Sequence, residues 1–521
     1  MKFLLRYKEL FLLLCLLIIA AFLRIYRIAD YMTFLGDEGR DVLVVYNILH
    51  GKLTLLGPTS SVGGFFLGPI YYYFMAPFLW LFNYDPVGPA IMVALFGTAT
   101  VWLVYKIGKE FFNTATGFIA AGLYTIAPLV IAHSRSSWNP NLMPFFTVLL
   151  LYVLYQAQHK RKLVLFIISG ILFGIAIQLH YVELFVGVVI AAYIAFLDWI
   201  SKSNRQQFIG TIVKKYLAIF VGTLIGISPL LAFELRHGFP NTQSIISFIF
   251  NSGETGGNTK VLEIIGNVFF RLFGRLVTNF PPPERVALGA HAEYAMWYIL
   301  TLLLGVVSLF FFLRKYKESM KEKATAFQQL SLLIIWFSFG ILLFGFYKKP
   351  IYDYYFQFMF PLPFLFVGYA ITSLYTMKKP VYKLIAGVTL LTLIAINIQG
   401  VPFRYSANKQ KAQIEEIAKF VLSKTGGKPY NFALLTPGNS DHGYRYFFKL
   451  NGQDPVTIEY AGIDPERKTV TDQLLVVCEE PVCQPLGSSL WEIAGFGRAE
   501  IADMWPVSVV KVYRLVPYKG M

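Results

Sequence analysis

The sequence predicts an all-α polytopic membrane protein with about eleven transmembrane helices and one membrane-dipping segment, followed by a small C-terminal extracytoplasmic α/β domain. Three observations lead there. Of 521 residues, 56% are hydrophobic and 15% charged, and the mean hydropathy is +0.55. A water-soluble chain of this length lacks the polar surface to cover that balance. Apolar runs long enough to cross a bilayer recur through the first 400 residues, and after about residue 401 charges, Gly and Pro rise.

The apolar runs fall near residues 9–28, 87–105, 115–132, 141–157, 163–179, 182–199, 216–233, 294–313, 327–346, 354–376 and 381–399. A further run, 66–82, is short and carries two prolines. Charge decides its status. If it does not cross, the inside loops collect Lys106 and Lys109, the His159-Lys160-Arg161-Lys162 run, Lys202, Arg205, Lys214 and Lys215, the cluster Arg314, Lys315, Lys317, Lys321 and Lys323, and finally Lys378-Lys379. If it crosses, these charges land outside. We therefore expect 66–82 to dip without crossing, the N-terminus to lie in the cytoplasm and the C-terminus to lie outside. The same loops account for the net charge of +16, which in a soluble chain would suggest nucleic acid. The N-terminus has a basic start and an apolar core, but Arg24-Ile25-Tyr26-Arg27 follows where a signal peptide would show small residues, so a retained first helix is expected.

This topology divides the chain into a transmembrane domain over 1–400, with outside loops at about 29–65 and 234–292, and a soluble domain over 401–521. In the tail, Ile414, Ile417, Phe420 and Val421 form one helical face that Gly426-Gly427 ends. NFALLTP, TIEYAG, DQLLVVCEE and VSVVKVYRL read as strands. Cys15 lies in the first span; Cys478 and Cys483 either pair, if the tail is outside the cytoplasm, or remain two thiols.

Five polar clusters stand out, all on the outer side by this topology. Asp37 and Glu38 head a helix in which Val42, Val45, Tyr46 and Leu49 share a face, with Arg40 one turn on. Acids at a helix start can simply cap it; beside a water-poor cleft, such an acid is also a general base of tunable pKa. His133, Arg135, Trp138, Asn139 and Asn141 crowd one turn; Gln178, His180 and Glu183 crowd another. Glu234, Arg236 and His237 open a long loop in which Arg271 and Arg275 are an i,i+4 pair. Lys348, Lys349, Tyr352, Asp353 and Tyr354 close the set. Cations on the outer side run against the usual charge bias and suit an anionic headgroup or a phosphate leaving group. No zinc-protease, Walker or nucleophile-elbow motif is present. Outside the cytoplasm there is no nucleotide pool, so a group-transfer enzyme there needs a membrane-held donor, and a polyprenyl-phosphate sugar fits.

On these residues the chain resembles the integral-membrane glycosyltransferases of the GT-C fold, above all the bacterial relatives of protein O-mannosyltransferase and of the lipid A aminoarabinose transferase. The resemblance covers about residues 1–400 and is carried by FLGDEGRDVLVVYNILHGK, GPIYYYFMAPFLWLF, VYKIGKEFF, NPNLMPFFTVLLLYVL and YKKPIYDYYFQFMFPLPF. It implies that Asp37 is the catalytic base with Glu38 as partner. Arg40, Arg135, Asn139, Asn141, His180, Glu234, Arg236, Arg271, Arg275, Lys348, Lys349 and Tyr352 are then the candidates for holding donor phosphate or substrate. The acceptor is a protein, lipid or glycan. The residues do not decide whether a divalent ion takes part; the resemblance implies no metal. Two departures from the family are visible. Asn139 and Asn141 stand where relatives often have Asp, and QLHYVE replaces a basic residue. A transporter or flippase is the rival class; no two-halves repeat supports it.

Overall fold

Apolar runs without water must bond their backbone internally, and the long ones here do so as helices. The computed structural model describes residues 2–60, 63–201, 205–251, 253, 255, 256, 260–282, 286, 292–322 and 324–518. Lys202 and Lys323 of the expected basic loops lie outside the described residues. Among the described residues, seven helices are long and apolar enough to cross a membrane by length and composition, or eight if one bent pair is a single span.

Several expected spans are broken, each for a local reason. The run 115–132 stops at Ile126 because Ala127 is extended ahead of Pro128. The run 216–233 divides at Ile227 into Arg205–Gly226 and Ser228–His237, with a proline in the first turn of the second. The run 354–376 consists of Asp353–Met359 and Pro361–Tyr375, bent by 61°. The proline-bearing run 66–82 yields Ile70–Leu81, 12 residues. At 1.5 Å per residue that is about 18 Å, short of the roughly 30 Å hydrocarbon core.

Helices Leu163–Leu179 and Arg205–Gly226 cross where glycines face each other. A Cβ on Gly222 would lie 2.0 Å from the Ile167 carbonyl oxygen, and one on Gly170 would lie 2.1 Å from that of Ile219. Gly174 and Gly226 repeat the contact one turn on, with a Gly174 Cβ only 2.8 Å from the Gly226 Cα. Small residues at this spacing let helix backbones touch in a membrane. Gly222→Leu forces the helices apart; we expect a loss of at least about 1–3 kcal/mol, read as a lower thermal midpoint of the purified protein in detergent.

The chain forms two compact units: Met1–Tyr26, Thr54–Phe74 and Ile91–Ser406 in one, and Arg27–Leu53, Met75–Ala90 and Ala407–Met521 in the other. The second contains a four-stranded sheet. Strand β1 (Asn431–Leu435) pairs parallel with β2 (Leu474–Cys478), β2 antiparallel with a strand at Val510–Pro517, and that strand antiparallel with one at Ala499–Val507. The helix at Gln410–Lys424 buries Ile414, Ile417 and Val421 of the expected face, while Phe420 is only half-buried. TIEYAG is not a strand; Ala499–Val507 and the helix His442–Leu450 complete the module instead. Both β1 and β2 are buried at every position, so they read as continuous apolar runs. Cys478 and Cys483 are disulfide-bonded.

Candidate functional site

In the second unit, the acidic cluster begins helix Gly36–Leu49, with Leu35 extended at its N-cap. Leu35 has no side-chain acceptor. Glu38, three residues on, reaches back and accepts the Leu35 N–H at 3.0 Å. Capping therefore falls on Glu38, not Asp37, and Glu38 is buried. Asp37 keeps 53% of its side chain exposed and pairs with Arg40 at 2.8 Å. Arg40 also holds the fully buried Asp41 at 2.8 Å, so this expected phosphate ligand sits between two carboxylates.

Burial raises the Glu38 carboxyl to about 7, from an ordinary value of 4.5. The backbone amides around it oppose the rise and the neighbouring Asp37 and Asp41 add to it. The stabilising contribution of its neutral form is present below pH 4.5 and is lost as pH rises through about 7. Glu38→Gln retains an acceptor for the Leu35 N–H and does not titrate. We expect hydrogen-exchange protection of the 34–39 amides to fall between about pH 5 and about pH 8 in the natural protein and to stay level in the variant.

The acidic helix is gripped by the tail. Lys409 N–H donates to the Asp30 carbonyl at 2.9 Å and Phe34 N–H to Gln410 Oε1 at 3.2 Å. Gly36 N–H donates to Asn439 Oδ1 at 2.9 Å. A Cβ on Gly39 would lie 2.3 Å from the Gly443 nitrogen, so glycine alone allows this approach. His442 accompanies the grip; burial pushes its imidazole below the ordinary value, and Asp37 and Arg40 are among the charges it senses.

In the first unit, the tyrosine-rich segment 347–357 is the hub. Asp353 takes Arg271 at 2.6 Å and Arg275 at 2.8 Å, so the i,i+4 pair shares one carboxylate. Arg271 also donates to the Ile351 carbonyl at 2.6 Å and lies over the Phe356 ring. Gln357 donates to Asn141 Oδ1 at 2.9 Å, and His133 Nδ1 lies 3.2 Å from the same oxygen. Tyr354 packs edge-on against Trp138, and Tyr354 and Tyr355 both meet the His180 ring. Tyr352 stacks on Tyr354. Four of the sequence clusters thus meet through one segment.

Other candidates have structural duties. Arg135 is 2% exposed and donates to the Leu23 and Tyr26 carbonyls at the end of the first helix. Asn139 donates to the Leu179 carbonyl at 2.5 Å. His180 Nδ1 accepts the Val182 N–H at 3.2 Å. Glu234 caps helix Pro240–Phe250, taking the Asn241 and Thr242 amides at 3.1 and 2.9 Å. Arg236, Lys348, Lys349 and Tyr352 are exposed.

Beside the hub lies an apolar pocket of about 310 Å³, lined by Phe65, Phe185, Phe248, Phe344, Tyr347 and Tyr355 among others. The exposed Lys348 and Lys349 directly follow Tyr347 of its wall. Among the described residues, no three His, Cys, Asp or Glu side chains converge as metal ligands. Sequence reasoning missed Asp353 as the shared anion, Gln357 and Asn439. The arginine pair alone signalled that a carboxylate was needed.

The family described as dolichyl-phosphate-mannose-protein mannosyltransferase matches residues 67–233. A protein of Bacillus subtilis (strain 168) described as "Putative mannosyltransferase YycA" is 27% identical over 146 residues. That match spans 28% of this chain and about a fifth, 21%, of the relative. The solved structure of ArnT from Cupriavidus metallidurans bound to undecaprenyl phosphate superposes with a TM-score of 0.60 at 13% identity, covering 97% of each chain. The oligosaccharyltransferase AglB from Archaeoglobus fulgidus, in complex with an inhibitory peptide and a dolichol-phosphate, superposes with a TM-score of 0.53 at 13% identity, covering 90% of this chain and 69% of AglB. The chain therefore has the fold of these membrane transferases, the GT-C type that the sequence resemblance implied.

Proposed function

We propose that this chain is a membrane glycosyltransferase that moves a sugar from a polyprenyl-phosphate donor to a protein, lipid or glycan acceptor at the extracytoplasmic face. One observation carries the reading: an apolar pocket whose wall runs directly into two exposed lysines. An isoprenoid tail suits such a pocket, and a phosphate suits the lysines. ArnT with undecaprenyl phosphate and AglB with dolichol-phosphate share the fold and support a donor of that class.

In the reaction, Asp37 takes the proton of an acceptor hydroxyl or amine. The freed oxygen or nitrogen attacks the anomeric carbon with inversion, the bond from that carbon to the phosphate oxygen breaks, and polyprenyl phosphate leaves with the electron pair. Lys348 and Lys349 counter the charge on the leaving phosphate. Arg271 and Arg275, whose charge is shared with Asp353, hold the segment that presents them. Glu38 caps and orients the helix that carries Asp37. The cell inner (plasma) membrane is the location that fits, with a cytoplasmic N-terminus. The Cys478–Cys483 disulfide supports an extracytoplasmic tail.

A structure determined with polyprenyl phosphate tests the donor site. We expect the tail in the pocket and the phosphate within hydrogen-bond distance of Lys348 or Lys349. A phosphate bound at the Lys160-Arg161-Lys162 turn instead would refute this assignment.

A further inference from the structure

We infer that Asn439 is a positioning residue for the Asp37 carboxylate, and that Glu479 and the disulfide-bonded turn beside it hold Asn439 in place. The inference rests on the reading of Asp37 as the base.

Gly36 is the first residue of the acidic helix, and its N–H is one of the amides that a helix start leaves without an internal partner. The chain supplies that partner from 403 residues away: Asn439 Oδ1, at 2.9 Å. The same oxygen accepts the Ser440 N–H at 2.8 Å. The amide orientation follows, because Nδ2 is then left to donate, and it faces both Glu479 oxygens at 3.3 Å. Glu479 is itself fixed by Thr436 Oγ1 and the Tyr444 hydroxyl, each at 2.8 Å, and its own N–H donates to the Leu435 carbonyl at 2.8 Å. Residue 479 directly follows Cys478, at the start of the turn that the disulfide to Cys483 closes.

The relay therefore runs from the disulfide turn to Glu479, to the Asn439 side chain, to the Gly36 amide, and so to the residue next in sequence, Asp37. The fit is close. A Cβ on Gly36 would lie 2.3 Å from Ser440 Oγ, and Ser440 Oγ is in turn 2.5 Å from His442 Nδ1. Asn439 itself meets no substrate in this account. It sets where the helix begins, and hence where the exposed carboxylate of Asp37 points.

The test is steady-state kinetics on the full-length protein with a polyprenyl-phosphate sugar. N439A should lower kcat by about tenfold to a hundredfold, the cost of a misplaced catalytic group, while the donor KM and the pH–rate profile keep their natural form. N439D retains an acceptor for the Gly36 amide but sets two carboxylates against each other. It should lose activity that the added change E479Q restores, because the donor and acceptor of that contact are then exchanged. N439D also serves if N439A does not fold. Natural kcat in N439A, or in N439D alone, overturns the positioning role even when D37N is inactive. Natural turnover in D37N overturns the base assignment instead, so the two failures are distinct.

Discussion

Asp353→Ala should cost about 3–5 kcal/mol of stability, because it strands two mostly buried guanidinium groups without their counter-ion. Asp353 is bonded to both Arg271 and Arg275, and the three side chains are only 10–16% exposed. Together they carry one net positive charge; without the carboxylate they carry two. The same change frees the segment that holds Gln357 on Asn141 and Tyr354 against Trp138. We therefore expect a lower thermal midpoint in detergent and loss of transfer together. Arg275→Met leaves Asp353 paired with Arg271 and should cost distinctly less. Equal stability of Asp353→Ala and the natural protein would show that the arginines find other partners.

Asp37→Asn should leave the fold intact and remove most turnover. The amide is the same size, and its oxygen still accepts from Arg40, so the 2.8 Å contact is kept in weaker form. What is lost is a group able to take a proton, and general-base catalysis of that kind is worth about 10²–10⁴-fold. Glu38→Gln is the natural contrast. Glu38 is buried and occupied with the Leu35 amide, so its conservative replacement should leave kcat near the natural value at neutral pH. Loss of turnover in both variants alike would make the pair a shared site. Loss in Glu38→Gln alone would move the base by one residue.

What could be read from the sequence was local. The apolar runs, the charge-poor composition and the helical face of Ile414, Ile417, Phe420 and Val421 need only near neighbours; among the described residues seven of the runs appear as helices long enough to cross a membrane, and three of the four face residues are buried. Breaks at Ala127 and Ile227 were equally local, marked by Pro128 and Pro229, yet hydropathy alone passes over them. The asymmetry of the acidic pair was visible, but its burial was not: reaching back from the third helical position places Glu38 inside and leaves Asp37 to Arg40. Long-range partners were beyond the pattern. The i,i+4 spacing of Arg271 and Arg275 is plain, whereas Asp353 lies 82 and 78 residues further on. Nothing near Gly36 points to an asparagine 403 residues away. TIEYAG has strand composition but no ladder to join, and Ala499–Val507, with its acidic residues, gains its strand from a neighbour.

The proposed reaction breaks a bond between a sugar and a polyprenyl phosphate. Its most direct test is to give the purified protein a labelled polyprenyl-phosphate sugar and an acceptor-containing envelope fraction, and to measure free polyprenyl phosphate. We expect release of the lipid phosphate in step with label reaching the acceptor, with both lost in Asp37→Asn. Recovery of the donor intact, merely moved across the bilayer, would contradict it and identify a transporter.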